Sequence, residues 1–183
     1  MNEIESNLTL IGMPGSGKST VGKLLAKRFR LTFLDTDVWI ESSEGCRLEE
    51  LIVRHGLDGF LAIEARYLRN LRCERTLIAP GGSAVYDAHA MANLRRLGPV
   101  AYLDVSLSEI ESRVGDLQKR GVVIAPGKTV VDLYHERHPL YLKHADLRIT
   151  CTGDDPERTA LEVATAVAHF TRADTIVTSS PAT

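Results

Sequence analysis

The sequence predicts a three-layer α/β sandwich: a five-stranded parallel sheet, helices on both faces, and a mobile lid over one rim. Three observations carry that expectation. Short apolar runs alternate with helix-spaced segments along the whole chain, as they do where crossover helices bury a parallel sheet on both sides. The first run leads directly into Gly12-Met13-Pro14-Gly15-Ser16-Gly17-Lys18-Ser19, which fits the phosphate-binding pattern G-x-x-x-x-G-K-[ST]. Two later runs end in Asp35-Thr36-Asp37 and Pro80-Gly81-Gly82-Ser83, and parallel sheets bind ligands outside the carboxyl ends of their strands.

Each element has its own justification. Leu8-Thr9-Leu10-Ile11 suits a buried strand, and Val21, Leu24, Leu25 and Phe29 follow at helical spacing. Strand, loop, helix is the order the phosphate motif needs. Thr32-Phe33-Leu34 is the second strand. From Val38 to Arg72 the pattern is helical, broken near Gly45 and Gly56, with Leu48, Leu51 and Ile52 on one apolar face and Phe60, Ile63, Tyr67, Leu68 and Leu71 on another. Leu77-Ile78-Ala79 is the third strand, and a helix from about Asp87 to Leu97 is closed by Gly98-Pro99. Val100 to Asp104 is the fourth strand, with Ser106 or Ser108 available to cap the next helix. Gly115, Gly121, Pro126 and Gly127 punctuate a segment carrying Lys119, Arg120 and Lys128, and this reads as a lid over about residues 115–129. A helix from about Val130 to His144, a strand Leu147–Thr150 and a last helix from about Pro156 to Phe170 complete one domain, 1–171. Residues 172–183 are expected to form a disordered tail.

Composition narrows the function classes. The 183 residues are 44% hydrophobic and carry a formal charge of -2, so no basic excess points to nucleic acid or to a membrane surface. No apolar run reaches the length of a membrane span, and Met-Asn-Glu-Ile-Glu lacks the basic start of a signal peptide. Cys46, Cys73 and Cys151 are odd in number and scattered, as expected of reduced thiols in a cytoplasmic protein. The chain is expected to act as a monomer on a small-molecule hydroxyl acceptor.

The rim residues define a chemistry. Backbone N–H groups of the glycine loop can wrap a phosphate, Lys18 can meet its outer oxygens, and the Ser19 hydroxyl can ligate Mg²⁺. Asp35 either supports the magnesium shell or caps the next helix; Asp37 either accepts a proton from an attacking hydroxyl or is a solvated first-turn acid. Gly81 and Gly82 either let a substrate lie on the main chain or form a plain turn. Lys119 and Arg120 either close over a transferring phosphate or belong to a surface loop. His135-Glu136-Arg137-His138 spaces its histidines three apart, not the four of a zinc-protease helix. No N-K-x-D guanine signature occurs.

These residues resemble the shikimate kinase family, small P-loop kinases of the nucleoside-monophosphate-kinase type, from about Leu8 to Ala168. The resemblance implies ATP as co-substrate, held by Pro14, Gly15, Ser16, Gly17, Lys18, Ser19 and Thr20, with Arg113 and Pro156 near adenine and Mg²⁺ near Ser19 and Asp35. The family's D-T-D strand end stands as Asp35-Thr36-Asp37, which implies that Asp37 touches the substrate hydroxyl as base. Its T-G-G-G-A-V is Pro80-Gly81-Gly82-Ser83-Ala84-Val85 here, and its E-R-x-P-L-Y is Glu136-Arg137-His138-Pro139-Leu140-Tyr141. Gly81, Gly82 and Arg137 are thereby implied to contact substrate, and Arg120 matches the lid arginine. One departure matters. The family's F-R-x-x-E reads Phe60-Leu61-Ala62-Ile63-Glu64, so the arginine expected to grip a substrate carboxylate is Leu61. The implied acceptor is shikimate, in aromatic amino acid biosynthesis, or another hydroxy acid or polyol. A nucleoside-monophosphate kinase and a nucleotide-binding regulatory protein without transfer activity are the alternatives.

Overall fold

The computed structural model describes residues 6–117, 127–152 and 155–178. Lys119, Arg120, most of the expected lid and residues 179–183 lie outside the described residues. Five strands, β1 Leu8–Ile11, β2 Thr32–Asp35, β3 Thr76–Ala79, β4 Val100–Val105 and β5 Leu147–Cys151, pair in parallel in the order β2-β3-β1-β4-β5. Central strands β1, β3 and β4 are buried at every residue, which is why their sequences read as unbroken apolar runs. Edge strands β2 and β5 are partly exposed and more polar.

Connection order fixes the layers. Helix α1 (Lys18–Phe29) links β1 to β2 at one edge, while every later crossover travels back in the other direction. Right-handed crossovers therefore place α1 on one face and α2 (Thr36–Glu44), α3 (Leu48–Asn70), α4 (Ala88–Leu97), α5 (Leu107–Leu117) and α6 (Val130–His144) on the other. The last helix, α7 (Pro156–Thr178), returns to pack on α1. Strand β1 has β3 and β4 as neighbours, with connections leaving in opposite directions. That reversal opens a crevice at its carboxyl end, and the glycine loop occupies it.

Packing ties the layers together. Val21, Leu25 and Ala26 of α1 pack into a core that includes Leu8, Leu10, Leu77 and Tyr102. At the amino end of the sheet, buried Asn7 donates to Cys73 O at 2.9 Å and Leu97 O at 3.0 Å and accepts from Thr76 N at 2.9 Å. One side chain thus joins the ends of two connections, α3 to β3 and α4 to β4. Among the described residues, no helix is long and apolar enough to cross a membrane, and all three cysteines are free thiols.

The expected strands are found, each with at most one residue added at an end. The breaks near Gly45 and Gly56 are also found, both glycines having positive φ. Two expectations are corrected. Helix α5 continues through Gly115 to Leu117, so the irregular segment does not begin at 115. Its start is held by a reciprocal pair: Ser106 Oγ accepts from Glu109 N at 3.4 Å while the Glu109 carboxylate accepts from Ser106 N at 3.3 Å. One glycine costs an established helix only about 1 kcal/mol. Likewise α7 runs to Thr178, past the expected end at Phe170, because no glycine or proline interrupts it before Pro181. Residues 172–178 are therefore helical, not an irregular tail.

Candidate active site

The glycine loop turns from β1 into α1 with Gly17 at φ 92°, ψ 6°, a left-handed conformation that side chains other than glycine adopt at a cost. Lys18, the first residue of α1, folds its Nζ back to donate to Gly12 O at 2.9 Å and Met13 O at 3.0 Å. The ammonium is therefore held at the mouth of the loop. Burial is the main cause lowering its pKa to about 8, and Asp37 opposes that effect.

Asp35 caps the next helix, one of the two roles open to it from sequence, and also bonds Ser19. Its Oδ1 accepts from Asp37 N at 3.2 Å and caps α2, while Oδ2 accepts from Ser19 Oγ at 3.2 Å. A serine hydroxyl and a carboxylate oxygen at this spacing are hard donors, the set that magnesium takes when phosphates and water fill its other positions. Among the described residues no cluster of three His, Cys, Asp or Glu could hold a metal. Asp37 lies two residues further, in the first turn of α2, and is half-buried. Burial first, then the Asp35 charge beside it, raises its carboxyl to about 6.

Two clefts meet at the loop. One is lined by Gly15 to Val21 together with Arg113, Asp155 and Pro156. Arg113 reaches it from α5 and donates from Nη1 to Gly15 O at 3.0 Å. The other, ≈ 170 Å³, is lined by Asp35, Asp37, Leu61, Gly81, Gly82 and Arg137, among others. Lys18 and Ser19 belong to both. A group bound in either cleft thus faces a group bound in the other across the same ammonium and hydroxyl.

The second cleft has a tight floor. A Cβ on Gly81 would stand 2.8 Å from Asp37 Oδ1 and closer still to Glu64 Oε1, so only glycine lets these two carboxyls approach the turn. At Gly82 a Cβ would meet Arg137 Nη1 and Pro14 Cδ, each at 3.0 Å, and Tyr141 fixes the turn by donating to Gly82 O at 2.7 Å. Arg137 is 6% exposed. It donates from Nε to Tyr86 Oη at 2.9 Å, and its guanidinium lies 5.1 Å from that ring's centroid. No carboxylate among the described residues forms an ion pair with it. A buried guanidinium of this kind is suited to an anion from outside the chain.

The structure brings together Lys18, Ser19, Asp35, Asp37, Gly81, Gly82 and Arg137, with Leu61 in the wall, and sets Pro14 between loop and cleft. Ser16 is buried, whereas Thr20 is exposed beside the first cleft. Arg120 lies outside the described residues. Sequence reasoning did not assign Glu64 or Tyr86 to the site. Glu64 is 2% exposed; Ser83 Oγ donates to its Oε2 at 2.7 Å, and Oε1 has no hydrogen-bond partner. Burial pushes its carboxyl up to about 7, against the opposing pull of the Ser83 hydrogen bond. A readable signal was present: Glu64 stands four residues from both Phe60 and Leu68, in the middle of a buried helical stripe. The His135–His138 stretch is engaged otherwise, His138 Nδ1 lying 2.9 Å from Tyr102 Oη and Glu136 pairing with Lys128.

Known proteins share this fold. A shikimate kinase from Acinetobacter baumannii, solved in complex with shikimate, superposes with a TM-score of 0.83 at 28% identity, covering 91% of this chain and 95% of that one. Shikimate kinases from Sulfurihydrogenibium sp. and Synechococcus sp. strain RCC307 are 30% and 37% identical over 162 and 152 residues. Those alignments cover 88% and 81% of this chain and 97% and 77% of the relatives. The family model described as shikimate kinase matches residues 14–168, from the glycine loop to the body of α7, and the chain belongs to the shikimate kinase family.

Proposed function

We propose that the protein transfers the γ-phosphoryl group of ATP to a hydroxyl of a small acceptor bearing one anionic group. The observation that carries this reading is the pair of clefts sharing Lys18 and Ser19. Nucleotide phosphates fit the glycine loop, with adenine toward Arg113 and Pro156. The acceptor fits the cleft floored by Gly81 and Gly82, its anion against Arg137.

In this mechanism Asp37 takes the proton of the attacking hydroxyl; a carboxyl raised to about 6 is a better base near neutrality than one at 3.8. Lys18 leaves the loop carbonyls for the transferring phosphoryl oxygens, and Arg120 adds positive charge as the site closes. Ser19 and Asp35 are the residues to hold Mg²⁺, which when bound neutralises phosphate charge. Gly81 and Gly82 orient the acceptor for in-line approach by leaving the main chain bare.

Shikimate fits the class of acceptor, one carboxylate among hydroxyls, and the family relation supports it. Leu61 favours a second reading, in which the acceptor is another hydroxy acid. It lines the acceptor cleft and cannot bond a carboxylate, so Arg137 is the cleft's cation for that group among the described residues. The test is ADP release with Mg-ATP against shikimate, quinate, gluconate, polyols and nucleoside monophosphates. Efficient turnover of shikimate supports the first reading, and preference for another acid the second. Nucleotide binding without transfer to any acceptor rejects both.

A further inference from the structure

Arg137, the buried cation of the acceptor cleft, is held by a side chain from outside that cleft. Its Nε donates to Tyr86 Oη at 2.9 Å, and its guanidinium carbon lies 5.1 Å from the centroid of the same ring. Tyr86 ends the short turn Ala84–Tyr86 that follows the two glycines. The Tyr86 hydroxyl also meets the Glu136 carboxylate, and Glu136 pairs in turn with Lys128.

We propose that Tyr86 is a positioning residue for the acceptor's anion: it fixes the plane of the Arg137 guanidinium without neutralising it, and Glu136 fixes Tyr86. The proposal rests on the reading of this cleft as the acceptor site.

The direction of the bonds carries the argument. A guanidinium only donates and a carboxylate only accepts, whereas a phenol does both. Arg137 Nε donates to Tyr86 Oη, so the Tyr86 proton is left for Glu136, and Lys128 donates to the same carboxylate. Burial raises the Tyr86 hydroxyl above its ordinary value, against the opposing pull of Arg137, so the phenol stays protonated and carries both bonds. Glu136 and Arg137 are consecutive in α6, and consecutive helical side chains do not face each other. Tyr86 bridges them. A carboxylate in direct contact would also orient the guanidinium, but it would take up the charge and the donors that a bound anion needs. Tyr86 engages Nε alone. Nη1 instead reaches the floor of the cleft, 3.0 Å from where a Cβ on Gly82 would stand. A planar fork recognises a carboxylate bidentately only when its plane is set, and that is what the ring and the hydroxyl together supply.

The test is equilibrium binding by calorimetry, with Mg²⁺ and a non-hydrolysable ATP analogue present. Shikimate, quinate and gluconate are compared, each with its uncharged primary amide. Tyr86→Phe keeps the ring and removes the hydroxyl. For the acid that the unmodified protein holds most tightly, this variant should raise Kd about tenfold, and should move the matching amide and the ATP analogue by no more than about twofold. Glu136→Ala, at an exposed position, should raise Kd for the same acid about threefold and again spare the amide. In turnover assays the loss should fall on KM for the acceptor, with kcat held within about threefold. A loss shared equally by acid, amide and nucleotide is general damage and overturns the proposal. So does an acid affinity unmoved by both substitutions, or an unmodified protein that binds none of the acids. Acid binding that depends on Tyr86 in a protein that transfers no phosphoryl group would uphold the positioning role and reject the kinase reading.

Discussion

Asp37→Asn should make the protein more stable and nearly inactive, and only at pH values where the native carboxyl is charged. Burial and the neighbouring Asp35 raise the Asp37 carboxyl from the ordinary 3.8 to about 6. A displacement of that size corresponds to about 3 kcal/mol between its protonation states. The folded-state value is the higher one, so as pH rises the unfolded chain releases this proton first. The resulting penalty on folding is absent below pH near 4, grows between about 4 and 6, and is fully present above. Asparagine removes it. It also removes the attraction between Asp37 and Lys18, so the net gain at pH 7.5 should be about 1–3 kcal/mol. For a chain of this size that is a rise of roughly 2–10 °C in Tm. Turnover should fall by about 10²- to 10⁴-fold with ATP affinity retained. Urea unfolding of parent and variant at pH 7.5 and pH 4, alongside ADP-release kinetics, makes the comparison. A variant less stable than the parent at pH 7.5, or equally displaced at both pH values, would refute the electrostatic argument.

Three further substitutions probe separate parts of the molecule. Lys18→Ala should lower turnover by about 10²-fold or more, because one preorganised donor at a charged transition state is worth that much; normal rates reject the loop assignment. Leu61→Arg places a planar cation in the acceptor cleft and should lower KM for shikimate by about tenfold or more; an unmoved KM means that position 61 does not govern acceptor choice. Asn7→Ala strands the Cys73 and Leu97 carbonyls and the Thr76 amide, so stability should fall by about 3 kcal/mol or more. Its kcat should stay near the parent value, since these bonds lie at the opposite end of the sheet from the glycine loop, and a selective loss of kcat would contradict that placement.

Much of this architecture was legible because each element obeys a local rule. Apolar runs of four to six residues could only be buried strands once helices separated them, and the glycine loop fixed which end of the sheet carries the site. Asp35 was legible as a support of the magnesium shell or a helix cap, and the structure shows one oxygen capping α2 and the other accepting from Ser19 Oγ. The ends of α5 and α7 were less legible. Gly115 looked like the start of a loop, but one glycine is a small cost beside a reciprocal cap and a packed helix face. Small polar residues after Phe170 resembled a fraying end, although nothing among them stops a helix before Pro181. Asn7 was invisible as a clamp, because its three partners lie 66 to 90 residues away.

Glu64 was missed for a different reason, and that reason connects the two departures from the family pattern. At position 61 this chain has leucine where the pattern has arginine, one helical turn before a buried carboxyl. A buried carboxylate without a cation is costly, and it either finds donors or takes up a proton. Both responses are present: Ser83, standing where the pattern has a third glycine, donates to Oε2, and burial raises the carboxyl to about 7. Removing the arginine takes away one grip on a carboxylate, and adding the serine hydroxyl fixes the remaining acid with one oxygen unpaired. Together they leave this end of the cleft with a serine-bonded buried acid and no arginine, while Arg137 lies at the other end without an ion-pair partner among the described residues. Lys18, Ser19 and Asp37 stand where the family pattern has them, so Leu61 and Ser83 fall on the wall of the second cleft and not on the glycine loop.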